Sequence, residues 1–576
     1  MSEAEGTPEA GTEREPSLWR LLLVVALVAA AVRVICFAGI MHDLPLHTET
    51  LPGLDMHTYN EWAQEIAGGD VLSRERGVFY YTPLYPYLLA GVYLLGGPGN
   101  VLAGVVLNGF FGVAAAVCAA GLGRRLFGHW AGLAAGLLMA LNGPQLYYES
   151  LLLVDSLLTA LCLGGLWLLV EWWLRARDGN RVPLWRWLLP GLLFGVAAVG
   201  RTSNLLLAGA LAVVVGLTLF RRIRRRAAAA AGLVVLGAVI VVSPFVVRNG
   251  LMHDRWTLTT NGPVLLYIGN VPGAPGIFSY PPGFDEIRHS YRDGPFWMDR
   301  LKSELAERPL SIVPTMLRKT ALFFNAWDVP DNGNYHFARR QVASVRFFTV
   351  GPLVLYVLGF LGVGLTARDW RRLLPMYAFA AAFAASIIVV FVVGRYKLPF
   401  LGWLAVFGGG AVASVVHLAR GKRWRALGIA AVAAAVLAAL FWPRPPIGKP
   451  EISCPLRPNE YLSNARVLEE HDRPLDAARM LGEAADLWPR IARLTERSAL
   501  LYLREDRPGE ALERLEKTLR AAGANQTILE HYVVALWELG RIREAQQTAR
   551  RLLQRYPDSE VARRALGMTG QAGETP

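Results

Sequence analysis

Charged side chains at the ends of apolar segments are costly to keep, so the ones that persist are the first candidates for chemistry. Four short stretches of the sequence carry them. Asp55 opens Asp55-Met56-His57-Thr58-Tyr59-Asn60-Glu61-Trp62-Ala63, which reads as the start of an amphipathic helix. Glu149 and Asp155 flank the connection YYESLLLVDS, Arg201 sits in the hairpin VGRTSN, and Arg395 and Lys397 share the turn VVGRYKLPF. If the two acid-bearing segments and the two basic turns meet on one face, they make a site for an anionic ligand served by a carboxylate base. Guanidinium forks suit phosphate oxygens, and an ionised carboxylate can take the proton of a hydroxyl. Other roles compete. Asp43, Glu49 and Glu61 are alternatives to Asp55, Asp155 also suits the cap of the helix that follows it, and Arg201 and Arg395 also suit lipid head groups. His57, two residues from Asp55, raises the question of a metal. One His and one Asp do not make a ligand set, so no metal ligand is assigned and a divalent metal stays open. There is no phosphate-binding glycine loop, no HExxH and no nucleophile elbow.

These residues need a membrane bundle to position them. Mean hydropathy is +0.32 and charged residues make up 18% of the chain, against ~25% in soluble domains. A soluble enzyme, a disordered scaffold and a secreted disulfide miniprotein are excluded. The predicted fold class is all-α: a polytopic helical bundle, then a second helical domain. Segments near the ~20 apolar residues that a spanning helix needs are 18–40, 99–121, 128–146, 152–174, 185–200, 203–220, 228–247, 347–366, 373–393, 398–418 and 425–442. The first is too long for a simple signal peptide and reads as an anchor. Residues 82–97 are apolar but short and begin with Pro83 and Pro86. Reading them as a helix in the interface puts every compact basic cluster on one side: Arg124/Arg125, Arg175 to Arg186, Arg221 to Arg226, Arg368 to Arg372 and Arg420 to Arg425. The expectation is eleven spans with the N-terminus cytoplasmic, leaving outer loops at 41–98 and 248–346.

The formal net charge is +13. The tail 1–16 carries five Glu against Arg14, and 448–576 is balanced, so the excess lies in short clusters between apolar runs. That pattern belongs to membrane loops, and nucleic acid is not an expected partner. Cys36, Cys118 and Cys162 lie in apolar segments and Cys454 outside them, which gives neither a disulfide framework nor a metal spacing.

Past a proline-rich linker, 448–458, the pattern turns polar and helical over 459–570. Arg473-Pro474-Leu475-Asp476-Ala477 recurs as Arg507-Pro508-Gly509-Glu510-Ala511 and as Arg541-Ile542-Arg543-Glu544-Ala545. The period is that of a tetratricopeptide repeat, in which stacked helix pairs bury a shared face and leave a concave surface for a protein partner.

At these residues the sequence resembles the GT-C membrane glycosyltransferases, the broad class of dolichyl-phosphate-mannose–protein mannosyltransferases and the lipid A aminoarabinose transferase. The matching pieces, in order, are the acid after the first span, YTPLYPYLL, GRRLFG, YYESLLLVDSLLT and GRYKLPF. LYIGNVPGAPG and LFFNAWDVPDN look more like bacterial members that carry tetratricopeptide repeats. The resemblance covers roughly 17–447. It implies that Asp55 matches the catalytic acid, with Glu149 and Asp155 as supporting acids. It implies a sugar donor linked to a polyprenyl phosphate, whose phosphate would meet Arg201, Arg395 and Lys397. It also implies a protein or glycan acceptor and a bacterial cytoplasmic membrane, with the repeats on the outer side. Met56 stands where the eukaryotic protein mannosyltransferases carry a second acid, which argues against protein O-mannosylation and against a two-acid metal site there. Two other functions remain open at this point: a transporter or flippase of lipid-linked glycan, and an assembly platform built on the repeats. The first would show internal repeats and helices broken at the midplane, which the sequence lacks.

Overall fold

The computed structural model describes residues 17–44, 53–290, 292–445, 457–522 and 525–567. The acidic tail 1–16, Glu49 and most of the linker 448–458 lie outside the described residues. Among the described residues every regular element is helical, and the sole β-type contact is an isolated bridge between Asn142 and Val350. The chain divides into two compact units, residues 1–40 with 50–453 and residues 41–49 with 454–576.

In the first unit, six helices are long and apolar enough to cross a membrane: Leu18–Asp43, Val101–Phe127, Asp155–Arg177, Thr202–Phe220, Arg224–His253 and Arg395–Arg420. Six shorter apolar helices are Leu84–Gly96, His129–Ala140, Leu184–Gly200, Pro352–Leu365, Leu374–Ile388 and Trp424–Leu440. Each of the eleven expected segments falls on one of these twelve helices, and the twelfth, Leu84–Gly96, is the segment read as interfacial. Four expected spans, 128–146, 347–366, 373–393 and 425–442, are thus shorter than hydropathy alone proposed. The segment 128–146 shows why: its helix stops at Ala140 and resumes as Gly143–Glu149. The freed backbone is satisfied internally, by Gly143 N–H to Val350 O and Val350 N–H to Leu141 O. Apolar surroundings permit such a break only where protein supplies the partners.

The bundle is centred on Leu398–Arg420, whose residues 398–411 are all buried. It packs against Pro352–Leu365 and His129–Ala140 through small residues, which let backbones approach closely. A Cβ on Gly362 would lie 2.0 Å from Phe407 O, and one on Gly409 2.2 Å from Ala131 O. Gly362→Val is therefore expected to lower stability by ~1–3 kcal/mol, read as the thermal midpoint of the detergent-solubilised protein. A midpoint equal to that of the parent would show that these helices can separate freely.

Three of the basic clusters meet at one end of this bundle. Glu171 pairs with both Arg125 and Arg175 at 2.6 Å. Arg177 donates to the carbonyl of Arg371, and Arg372 to that of Arg125. Asp155 begins the helix that ends at Arg177, so the candidate acid stands at the far end, one helix length (~33 Å) away.

The second unit stacks helix pairs at the predicted period. Pro458–Glu470, Ala492–Arg504, Gln526–Glu538 and Glu560–Ala565 start 34 residues apart, as do Pro474–Leu487, Pro508–Ala522 and Ile542–Arg555. Ala477, Ala511 and Ala545 are fully buried between them. Each turn inside a pair contains one left-handed residue, Asp472, Asp506 or Gly540, types that tolerate positive φ. The Arg that follows it pairs with the acid three residues on: Arg473 with Asp476, Arg507 with Glu510 and Arg541 with Glu544.

Candidate active site

Asp55 is the first residue of the helix Asp55–Ala67, and Asp155 is the first of Asp155–Arg177. Neither helix takes a side-chain cap at its start, so the capping role open to Asp155 is not used. Its carboxylate turns to arginines instead, in a first turn where the helix dipole favours negative charge. Arg201 follows the helix Leu188–Gly200 in extended backbone. It donates to Asp155 Oδ1 at 2.5 Å and lies over the Tyr396 ring at 3.9 Å. Arg395 begins a short 3₁₀ turn ahead of the central helix.

Arg395 is the hub. Its Nη2 donates to Asp55 Oδ2 at 2.5 Å, its Nε to Asp331 Oδ2 at 2.7 Å and its Nη1 to Asp155 Oδ2 at 3.4 Å. The guanidinium is 5% exposed, against 19% for Asp55, 14% for Asp331 and 1% for Asp155. Charge-assisted bonds of this kind are the strong ones, and a buried guanidinium needs several acceptors to offset its desolvation. Burial pushes the Asp55 carboxyl up from the ordinary range, while the Arg395 charge beside it pulls it down; the net direction is upward.

Four of the six expected residues therefore converge: Asp55, Asp155, Arg201 and Arg395. The other two go elsewhere. Glu149 is fully buried and pairs with Arg33, Oε2 to Nε at 2.8 Å and Oε1 to Nη2 at 2.9 Å, with Gln145 Nε2 donating to the same Oε1. A buried carboxylate needs a cation close by, and Arg33 from the first helix reaches it. The Lys397 ammonium donates to the carbonyls of Asn325 and Trp327 and faces Asp328. Of the rivals to Asp55, Asp43 pairs with His42 and Glu61 with His57.

Sequence reading missed Asp331 and Asn332. Asn332 accepts from Asp55 N–H at 2.7 Å and donates to Asp55 Oδ2 at 3.0 Å. Both residues lie in LFFNAWDVPDN, which entered the sequence reading only as part of a resemblance, and the Asp, Asn, Pro and Gly of 328–334 marked a turn rather than a site. The segment crosses the Arg395 turn closely. Gly394 N–H donates to Val329 O, and a Cβ on Gly394 would lie 2.4 Å from the Asp328 carboxylate oxygens, so only glycine fits. Asp328 accepts from Tyr148 Oη at 2.8 Å, and burial pushes its carboxyl up to about 6 against the pull of Lys397 and Tyr148. His336 stacks on Trp327 at 4.0 Å, and desolvation holds it down to about 4.

No group of three His, Cys, Asp or Glu among the described residues is arranged to hold a metal. Where Asp55, Asp155 and Asp331 come together, Arg395 occupies the position a cation would take. The donor set does not fit an ion as it stands, and no step is routed through one.

Residues 81–247 match the model of the dolichyl-phosphate-mannose-protein mannosyltransferase family, and residues 502–567 that of the tetratricopeptide repeat. The two matches bear out the resemblance read from the sequence, over the residues they cover. Among solved structures the chain is similar to the oligosaccharyltransferase AglB from Archaeoglobus fulgidus in complex with an inhibitory peptide and a dolichol-phosphate, at 14% identity over 74% of this chain and 54% of that one, with a TM-score of 0.42. It is also similar to ArnT from Cupriavidus metallidurans bound to undecaprenyl phosphate, at 17% identity over 93% of this chain and 80% of that one, with a TM-score of 0.41. The chain spans about half the length of the oligosaccharyltransferase structures it matches. No curated protein matches it.

Proposed function

We propose that the chain is a membrane glycosyltransferase that moves a sugar from a polyprenyl-phosphate donor to an acceptor hydroxyl at the outer face. The observation that carries this reading is the contact of Asp55 with Arg395 across 340 residues of sequence, in one buried network with Asp155 and Arg201. The site lies at the end of the helix Asp155–Arg177 opposite the basic clusters, as an outer site requires under the positive-inside rule. The family match over 81–247 supports the same chemistry.

The lipid of such a donor stays in the bilayer and presents its phosphate at the membrane edge. Breaking the sugar–oxygen bond develops charge on that phosphate, and Arg395 and Arg201 neutralise it in a buried setting where fixed charges act strongly. Asp55 takes the proton of the acceptor hydroxyl as the oxygen attacks the anomeric carbon from the opposite face, which gives inversion. Asp155 positions both arginines. Glu149 and Lys397 support the site by holding the first helix and the 324–334 segment in place, and the repeats offer a surface to a protein partner.

The test uses the purified full chain in detergent with a radiolabelled polyprenyl-phosphate sugar and membranes from cells that lack the gene. Label is expected to move from lipid to acceptor. Arg201→Met is expected to raise KM for the donor ~10-fold, the scale of one charge-assisted bond lost. Label crossing the bilayer of proteoliposomes while staying on the lipid would replace this reading with the transporter.

A further inference from the structure

We propose that Asp331 and Asn332 form a latch, an internal anion and its neighbour that occupy the phosphate seat and the base until the donor's phosphate displaces them. The proposal rests on the reading of the site as a donor-phosphate site. Two guanidinium groups, Arg395 and Arg201, here face three carboxylates, Asp55, Asp155 and Asp331. With all of them ionised the cluster already carries one negative charge in excess. The ammonium of Lys397 does not relieve it, because its charge faces the carboxylate of Asp328. A phosphate brought to Arg395 would add to that excess, and like charges at contact distance in a buried site repel strongly. One carboxylate has to leave as the phosphate arrives.

The structure distinguishes which one. Asp155 is 1% exposed, begins a long helix and is held by both arginines. Asp55 begins a helix too, and the chemistry needs it at the site. Asp331 lies in a stretch without regular structure, where its backbone is bonded only locally, N–H to Gly333 O at 3.2 Å. That stretch is fastened at both ends. Before it, Val329 O accepts from Gly394 N–H, and Asp328 accepts from Tyr148. After it, Asn334 N–H donates to Tyr147 Oη at 2.7 Å, and the Asn334 side chain caps the next helix. The part left to move is Pro330–Gly333, which carries both latch residues.

The two residues act together. Asp331 holds Arg395 through Nε, while Asn332 brackets Asp55 with one bond to its backbone and one to its carboxylate. Displacing Asp331 draws Asn332 away with it and loosens the hold on Asp55, whose Oδ2 keeps its bond from Arg395. Phosphate binding and the loosening of the base become one event.

The experiment measures binding of farnesyl phosphate to the full chain in detergent by isothermal titration. Asp331→Asn keeps the shape and removes the competing charge. It is expected to bind the probe ~10-fold more tightly than wild type, since a seat blocked about nine-tenths of the time weakens apparent affinity by that factor. Asn332→Ala, which leaves every charge in place, is expected to tighten binding by a smaller factor, ~2–3-fold. A merely structural role for these residues would weaken binding instead. Wild-type binding that is unchanged or weakened in either folded variant overturns the latch and leaves the glycosyltransferase reading intact. No binding to wild type or to either variant overturns both.

Discussion

Asp55→Asn is expected to lower kcat by ~10²–10⁴-fold, the usual contribution of a positioned general base, while the protein melts close to wild type. Asn is isosteric with Asp and still accepts a hydrogen bond, and Arg395 keeps its bonds to Asp331 and Asp155. The lost rate would then belong to proton transfer rather than to the fold. The pH profile gives an independent reading. Burial raises the Asp55 carboxyl and Arg395 lowers it, with a net upward shift. A base acts in its ionised form, so turnover falls as pH drops through a midpoint above the ordinary Asp value of ~3.9. It reaches a plateau on the alkaline side. This acid limb is expected to vanish in the residual activity of Asp55→Asn. A variant with wild-type kcat, or a wild-type profile that keeps the limb in the variant, removes Asp55 from the role of base.

Breaking the Arg33–Glu149 pair is expected to have the largest effect on stability. Both groups are almost completely buried, and the carboxylate has three donor contacts from Arg33 and Gln145. Glu149→Gln leaves the Arg33 charge without its counter-ion among apolar neighbours, at a cost of ~3–5 kcal/mol. Arg33→Met strands the carboxylate and should cost a similar amount. The double variant Arg33→Met/Glu149→Met leaves no charge behind and is expected to recover most of the loss, because two well-packed apolar residues can replace a buried pair. Unfolding of wild type, Arg33→Met, Glu149→Met and the double variant in one detergent gives the cycle, and the double variant is expected to lose far less than the sum of the two single losses. Additive single losses would show that the two groups do not meet.

What the sequence disclosed of the site follows from cost. Asp55, Asp155, Arg201 and Arg395 stand out because charge at the end of an apolar run is expensive, so its presence asks for a reason. The same rule applies to Arg33, the one ionic group inside AAVRVICF, and following it would have added Arg33 to the candidates. Asp331 and Asn332 give no such signal. They sit among many polar residues of a long outer segment, where another carboxylate or amide costs nothing. Helix lengths were hidden for a related reason. Averaged hydropathy registers how apolar 128–146 is, but not that the helix breaks after Ala140 and borrows hydrogen bonds from Val350.

The sequence by itself determined the all-helical class, the repeat period and the candidate acids and arginines. Each of these follows from local pattern: hydropathy along a segment, a motif returning after 34 residues, a charge at an apolar boundary. Tertiary structure alone decided the pairing. Arg395 has several carboxylates within the chain that it could have met, and only packing of the central helix against the others selects Asp55, Asp155 and Asp331 while sending Glu149 to Arg33. The reason is range. Helix propensity and hydropathy act over a few turns, whereas an ion pair across 340 residues exists only after the bundle has closed around it.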